Sequence, residues 1–449
     1  MYFSIYIEEQ GKPSVVLVNR GFAADARSAA SGKGMPGLRI LPEDVPSECT
    51  EMSKIEAGVS KAVDDIAALL TRPLSREEKS PKPNVQALPR IIFKGTFQEV
   101  NRFFYKRGWS DGLPVVPPTE EAVKEMLTGT DLPAEHVVGK LIPRLGKATV
   151  EKIAINAVMA GALPTYMPVL IAALEALLDP RANFGGFGVS TGSWSPFWII
   201  NGPIRKDLRV ESGSGALSPG NIANAAIGRA MGLIIKNIGG VRRGIEDMGV
   251  LGNPCKYSMV IAENEEESPW EPLHAEQGLH KEDSAVTVFF PNSYVQAEPL
   301  GTDAKGIMEG LIHNFSPGRG GLTTILLPPQ HANVLAGEGW TKKEIAANIS
   351  DYARAPARLN HFYRLITLGS GWPGQHQVPL DPNEQMRIIL DPDWIRIVVA
   401  GGPGNLNGRA IGAPSRLGRT FVTKTVTLPA NWDKLVKKYQ DLVPSYLHY

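Results

Sequence analysis

The stretch from Val150 to Leu178, VEKIAINAVMAGALPTYMPVLIAALEALL, constrains the fold more than any other part of the chain. Nearly every residue is apolar. The run breaks at Gly161–Pro164, where glycine closes one helix and proline opens the next. Two helices that are apolar on most faces need enclosure on most faces, and only a large core provides it. Each half falls short of the ~20 residues that cross a bilayer. The pair therefore reads as the centre of a folded domain, and no membrane partner is expected.

Around this pair, strand and helix signals alternate. Short β-branched or apolar runs at PSVVLV (13–18), PGLRIL (36–41), FWII, YSMVIA (257–262), AVTVFF (285–290), LTTILL, MRIIL (386–390), WIRIVVA (394–400) and TVTL predict strands. Helical periods run through SIYIEEQGK, GFAADARSAASGKGM, FQEVNRFFYKRGW, DAKGIMEGLIHNF, PPQHANVLAGEGW and TKKEIAANISDYAR. Residues 52–70 are amphipathic, with Ile55, Val59, Val63, Ile66 and Leu70 on one stripe. Thr119 caps one helix, Ser218 is expected to open another, and a last helix is expected from Ala430. Residues 71–90, TRPLSREEKSPKPNVQALPR, are rich in proline and charge and have no apolar period, which is a linker signature. The expected fold class is α/β. A small, incomplete N-terminal βα domain (1–72) is joined by a linker (73–92) to a large mixed α/β domain (93–449).

The net charge of +1 offers no field to nucleic acid. Cys49 and Cys255 are the only cysteines, too few for a disulfide framework or a cysteine-rich metal site. The first residues lack a basic leader with an apolar stretch, so a cytoplasmic protein is expected. GGPGN after WIRIVVA does not complete a nucleotide-loop motif, and no GxSxG elbow occurs. Cys255 reads as a buried structural thiol. No cofactor is singled out.

Two segments carry the candidate site. NFGGFGVSTGSWSPFWIINGPI (183–204) combines glycines, aromatic faces and hydroxyls, which permit close backbone approach, apolar contact and a few oriented hydrogen bonds. Ser190, Thr191, Ser193 and Trp194 are the expected substrate contacts. A small anion is expected beside them at the helix start near Ser218–Asn221, with Asn221 contributing. The second segment, AENEEESPWEPLHAEQGLH (262–280), offers Glu263, His274 and Glu276 as catalytic groups. The same three could hold zinc or iron in a metal-dependent hydrolase or lyase, although no ligand motif is complete. Glu265–Glu267 are expected to face solvent, and Trp270 and His274 to face the 183–204 loop. His313 and Arg319 form a candidate carboxylate clamp, or an ordinary helix end.

Residues 4–70, from SIYIEEQGKPSVVLVNRGFAADARSAASGKGMPGLRI to IEAGVSKAVDDIAALL, resemble the later part of the UGSC-type (seleno)protein domain. More faintly they resemble the selenoprotein B subunits of glycine/betaine reductases. The large domain, with GWSDGLPVVPPTEEAV and PCKYSMVIAENEEESPWEPLH, resembles a domain found with such proteins. The resemblance implies redox or C–X bond-cleaving chemistry, reductive or lyase-type, on a small organic molecule. A non-catalytic binding or assembly subunit of a heteromeric complex is the alternative. The family motif (selenocysteine or cysteine, then Gly, Ser, Cys) belongs just before the helix that here begins near Met1. Neither Cys49 nor Cys255 stands at its place. PSVVLV is accordingly expected to lack a neighbouring strand. Either a partner chain supplies that strand and the redox motif, making an oligomer, or the true start lies upstream of a selenocysteine codon read as stop.

Overall fold

The computed structural model describes residues 2–45, 51–75, 89–317, 320–359, 381–412 and 421–442. The chain is α/β. Its N-terminal unit runs α1 (Tyr2–Glu9), β1 (Val16–Asn19), α2 (Ala23–Gly32), β2 (Ile40–Glu43) and α3 (Met52–Thr71). β1 and β2 pair in parallel, with Val16 opposite Ile40, and α2 makes the crossover. Ile5, Val16, Ala30 and Leu38 form a small core of their own. Among the described residues β1 pairs only with β2. The apolar stripe of α3 is poorly covered. Val59 is 44% and Val63 52% exposed, and Ala62 is the one buried residue described on that helix.

The large part begins with α4 (Phe97–Lys106), whose Thr96 and Glu99 form a capping box, and α5 (Glu120–Met126), capped by Thr119. A hairpin, β3 (Val137–Leu141) with β4 (Gly146–Thr149), leads into the apolar pair α6 (Val150–Ala160) and α7 (Met167–Leu178). Gly161, at φ +78°, closes α6 in the left-handed conformation that glycine adopts freely. Then come β5 (Phe197–Asn201), α8 (Ile222–Ile234), β6 (Val260–Ala262), β7 (Ala285–Phe289), β8 (Pro291–Ala297), α9 (Ala304–His313), β9 (Thr323–Leu327), α10 (Pro329–Gly337) and α11 (Lys342–Tyr352). A small pair, β10 (Arg354–Pro356) and β11 (Gln385–Arg387), precedes β12 (Ile395–Val399), β13 (Asn407–Gly412), β14 (Val422–Thr425) and α12 (Trp432–Tyr439).

Two four-stranded sheets result, ordered β14-β7-β5-β6 and β12-β9-β13-β8. Side chains alternate across a strand, so each sheet has two faces to bury. On β5, Trp198 and Ile200 pack against α6, α7 and α8. Phe197 and Ile199 face the other way and meet Leu326, Val398 and Ala410 of the second sheet. The far face of that sheet, with Ile325, Ile397 and Ile411, packs under α9 and α11 through Ile307 and Ile349. The layers are helix, sheet, sheet, helix. Burial of both sheet faces explains why the strands read as continuous apolar runs.

Some boundaries differ from those the pattern predicts. α8 starts at Ile222 and not at Ser218, because Asn221 is the cap: its Oδ1 accepts from the Ala223 and Asn224 N–H groups. The strand expected at TVTL lies at Val422–Thr425, and the last helix starts at Trp432. The hairpin β3–β4 and strands β8 and β13 carry no strand-like sequence signal. β13 reads NGRAIG and is a strand because β8 and β9 flank it on both sides.

Candidate functional site

A cleft of about 860 Å³ opens beside α8. Its apolar wall comes from β5 and the loop before it. Trp198, 1% exposed, stands on the helix-facing side of β5. Phe184 and Phe290 stack with ring centroids 6.0 Å apart. Phe187 lies behind, 5.1 Å from Phe290 and 5.3 Å from Trp194. Thr191 and Trp194 line the cleft directly.

The two serines of that loop hold it in shape. Ser190 Oγ accepts from the Gly192 N–H at 3.0 Å and from the Trp194 indole N–H at 3.1 Å, which fixes the ring. Ser193 is buried and left-handed at φ +57°. Its Oγ accepts from the Gly252 N–H, and its carbonyl from Asn253 Nδ2, both at 3.1 Å. The Thr191 carbonyl accepts from Val250. The 190–193 loop is thus stitched to residues 249–253, which also line the cleft.

The polar lining is mostly cationic. Arg229 of α8 makes a two-point ion pair with Asp111, at 2.8 and 3.0 Å. Lys236 donates to the carbonyls of Gly108 and Ser110, and burial holds its ammonium below the usual lysine range, with Asp111 acting in the opposite direction. Lys256 reaches both oxygens of Asp247 at 2.7 Å. Arg243 is exposed and has no ion pair among the described residues. Four cations against two carboxylates leave an excess of two positive charges around the lining. Cys255 is also there, half-buried, and burial pushes its thiol up.

The N-terminal unit reaches the same cleft. A turn of 3-10 helix, Arg20–Phe22, follows β1 directly, and Phe22 joins the lining. The C-terminal end of a parallel strand is where α/β proteins usually hold their ligands. Behind Phe22, Ser28 Oγ donates to Glu246 Oε1 at 2.5 Å. Glu246 is fully buried and also receives Arg242, whose Nε lies 2.9 Å from Oε2. Burial acts to raise the Glu246 pKa, but the hydrogen bonds from Arg242 and Ser28 outweigh it and bring it below the ordinary value. Asp25, one helical turn before Ser28, has a buried Oδ1 with no partner. Burial, then repulsion from Glu246, raises it to about 6.

The 262–276 segment lies elsewhere: none of its residues lines the cleft. Glu263 is fully buried. Its Oε2 accepts from the Leu273 N–H and from Asn201 Nδ2, both at 2.7 Å. Lys342 Nζ lies 3.3 Å from Glu263 and 3.2 Å from Glu276, so the lysine ammonium occupies the position between the two carboxylates. Burial raises the Glu276 pKa while Lys342 opposes it. Among the described residues no three His, Cys, Asp or Glu groups converge as a metal would require.

Trp270 and His274 do not face the 183–204 loop as the sequence led us to expect. The Trp270 indole donates to the Trp340 carbonyl at 2.9 Å and packs with the helices over the second sheet. His274 is fully buried, with Nε2 3.2 Å from the Lys281 carbonyl. Nor do Glu265–Glu267 all face solvent. The Glu265 side chain is 9% exposed, and accepts from Arg205, Asn201 and the Gly202 N–H. Three adjacent carboxylates are tolerated because Arg205 takes two of them. Asn221 is spent as a helix cap at the opposite end of α8 from Lys236, ~20 Å away at 1.5 Å per residue, so it does not join Trp194. His313 ends α9 and is exposed. Arg319 lies outside the described residues.

The cleft's cations went unread in the sequence, although Arg229 and Lys236 stand seven residues apart, on one face of a helix that is otherwise apolar. Phe22 gave no signal, because it reaches the cleft only when the two units dock.

The UGSC family matches residues 2–72, so the N-terminal unit is UGSC-like. No curated protein and no solved structure matches the chain. No described helix is long and apolar enough to cross a membrane.

Proposed function

We propose that this protein is an enzyme or enzyme subunit that binds a small organic anion in the cleft between its UGSC-like unit and its large α/β part. The observation that carries the reading is the shared lining: Phe22, from the family-matched stretch, stands on the same cleft as Trp194 and Arg243. A site with aromatic walls and surplus positive charge suits a molecule with an apolar body and a carboxylate or similar group. Arg243 takes the anionic group: of the two lining cations without a carboxylate partner among the described residues, Lys236 is already held by the Gly108 and Ser110 carbonyls, and Arg243 is exposed. Thr191 and Trp194 contact the apolar body, and Ser190 and Ser193 hold the loop that presents them.

The UGSC match points to a selenoprotein-related family, so the chemistry we favour is redox or C–X bond cleavage. In this reading the redox thiol or selenol is carried on a strand added to the edge of β1, supplied by a partner chain or by residues upstream of Met1. Among the described residues β1 pairs on one side only, which supports this reading. A second reading, a binding or assembly subunit, is favoured by the exposed Val59 and Val63 on α3.

Ligand-observed NMR with a panel of aromatic carboxylates and their neutral amides tests the binding reading. Carboxylates should bind, and Arg243→Ala should weaken them about 10- to 100-fold, as loss of a charge-assisted hydrogen bond does. Amides that bind as well as acids, in both proteins, would remove the anion assignment. Turnover of a bound acid with an added dithiol would separate enzyme from assembly subunit.

A further inference from the structure

Helix α3 carries an apolar stripe that its own chain leaves open. At 3.6 residues per turn, Met52, Val59, Val63 and Leu70 stand within about 20° of one line along the helix. They are 66%, 44%, 52% and 36% exposed. The face turned inward is a different one, with Ala62 buried and Ile55, Gly58, Ile66 and Leu69 half-buried beside it. Lys54, Lys61, Asp64 and Asp65 stand well away from the stripe, and of the charged residues only Glu56 borders it. The last turn is anchored. Buried Arg39 donates from Nη1 to the Leu70 carbonyl at 3.3 Å and from Nη2 to the Arg72 carbonyl at 2.9 Å.

The spacing of the stripe points to what covers it. Val59 and Val63 lie four residues apart, and Met52 and Leu70 lie seven residues beyond them on either side. The order therefore reads the same from both ends. Laid antiparallel on a second copy of itself, the helix sets Met52 against Leu70 and Val59 against Val63, twice over. An isologous contact needs this self-complementarity, and an unrelated partner would not. The four exposed fractions, with the bordering Ser60 and Ala67, bring the area buried by two such helices to ~1,000 Å² in total, the lower end for a specific interface.

We propose that α3 is a two-fold contact between two copies of this chain, its exposed stripe lying antiparallel against the same stripe of the second copy. The modest area makes the dimer weak and reversible. The contact involves no cleft residue and holds whether or not the cleft binds an anion.

Sedimentation equilibrium of the full chain, at concentrations up to ~200 µM, should give a reversible dimer. Val63→Glu should raise the dissociation constant at least ~10-fold, because it buries a charge in the contact. Should that variant fail to fold, Val59→Lys, at the facing position, takes its place. Disulfide cross-linking in a Cys49→Ser, Cys255→Ser background tests the geometry. Met52→Cys mixed with Leu70→Cys should form a covalent dimer, and neither protein alone should, because like ends lie ~27 Å apart in the antiparallel pair. A monomer throughout the series, a dimer indifferent to both charge variants, or cross-linking of Met52→Cys with itself would each overturn the proposal. In the monomer case, a Met52→Cys thiol that resists alkylation identifies the occupant as a segment of the same chain.

Discussion

Asp25→Asn should tighten the docking of the N-terminal unit over the cleft, and only above mildly acidic pH. The Asp25 carboxylate faces Glu246 across the junction, with Oδ1 buried and unpartnered. Its pKa is raised from 3.8 to about 6 by burial and then by Glu246. A carboxyl group held above its unfolded value favours the protonated, docked state. That contribution is fully present below 3.8 and is lost as pH rises through about 6. At 1.36 kcal/mol per pKa unit the whole effect is at most ~3 kcal/mol. Asp25 is partly exposed, and solvent screening reduces the figure to ~1–2 kcal/mol. Asparagine keeps the shape and removes the charge. Urea unfolding of the two proteins at a series of pH values gives the difference directly. The variant should be ~1–2 kcal/mol more stable at pH 8, with the advantage shrinking toward zero between pH 6 and pH 4. No advantage at pH 8, or one that does not change with pH, would refute the electrostatic reasoning.

Other expectations follow from the same geometry. Lys342→Met leaves Glu263 buried without its cation and should cost ~3–5 kcal/mol in urea unfolding, part of which Glu263→Gln restores. Glu265→Ala leaves Arg205 with Glu266 alone and unpairs the Gly202 N–H, and should cost ~1–3 kcal/mol, where a surface glutamate would cost almost nothing. Trp194→Ala should weaken a bound aromatic acid by ~1–3 kcal/mol in calorimetric titration, through lost apolar burial. Burial pushes the Cys255 thiol up, so its alkylation by iodoacetamide in a Cys49→Ser background should accelerate only above the ordinary thiol range. A pH profile centred at or below that range would count against it.

The fold was legible where local pattern and burial agree. The pair α6–α7 announces itself because its residues are apolar on most sides, and Thr119 marks a helix start through its own hydrogen bond. β13 was illegible because Asn407, Gly408 and Arg409 have no strand preference, and the neighbouring strands impose the conformation. Of the glycine-rich loop's four expected contacts, Thr191 and Trp194 line the cleft and Ser190 and Ser193 do not; glycines and aromatics side by side are a local signal. The second segment was misplaced. Its charges are adjacent in sequence, but their partners Arg205 and Lys342 come from ~60 and ~80 residues away, and pairing buries them as structure. Phe22, Arg243 and Lys256 meet only through tertiary docking, which no local pattern records.

The central claim is that one cleft, closed by the UGSC-like unit, binds an organic anion. Crystals soaked with brominated aromatic carboxylates, such as 4-bromobenzoate and 6-bromo-2-naphthoate, test it most directly. The account predicts anomalous bromine density between Phe22 and Trp194, with the carboxylate turned toward Arg243. Density for the series confined to other sites, with the cleft empty at saturating concentrations, would contradict it.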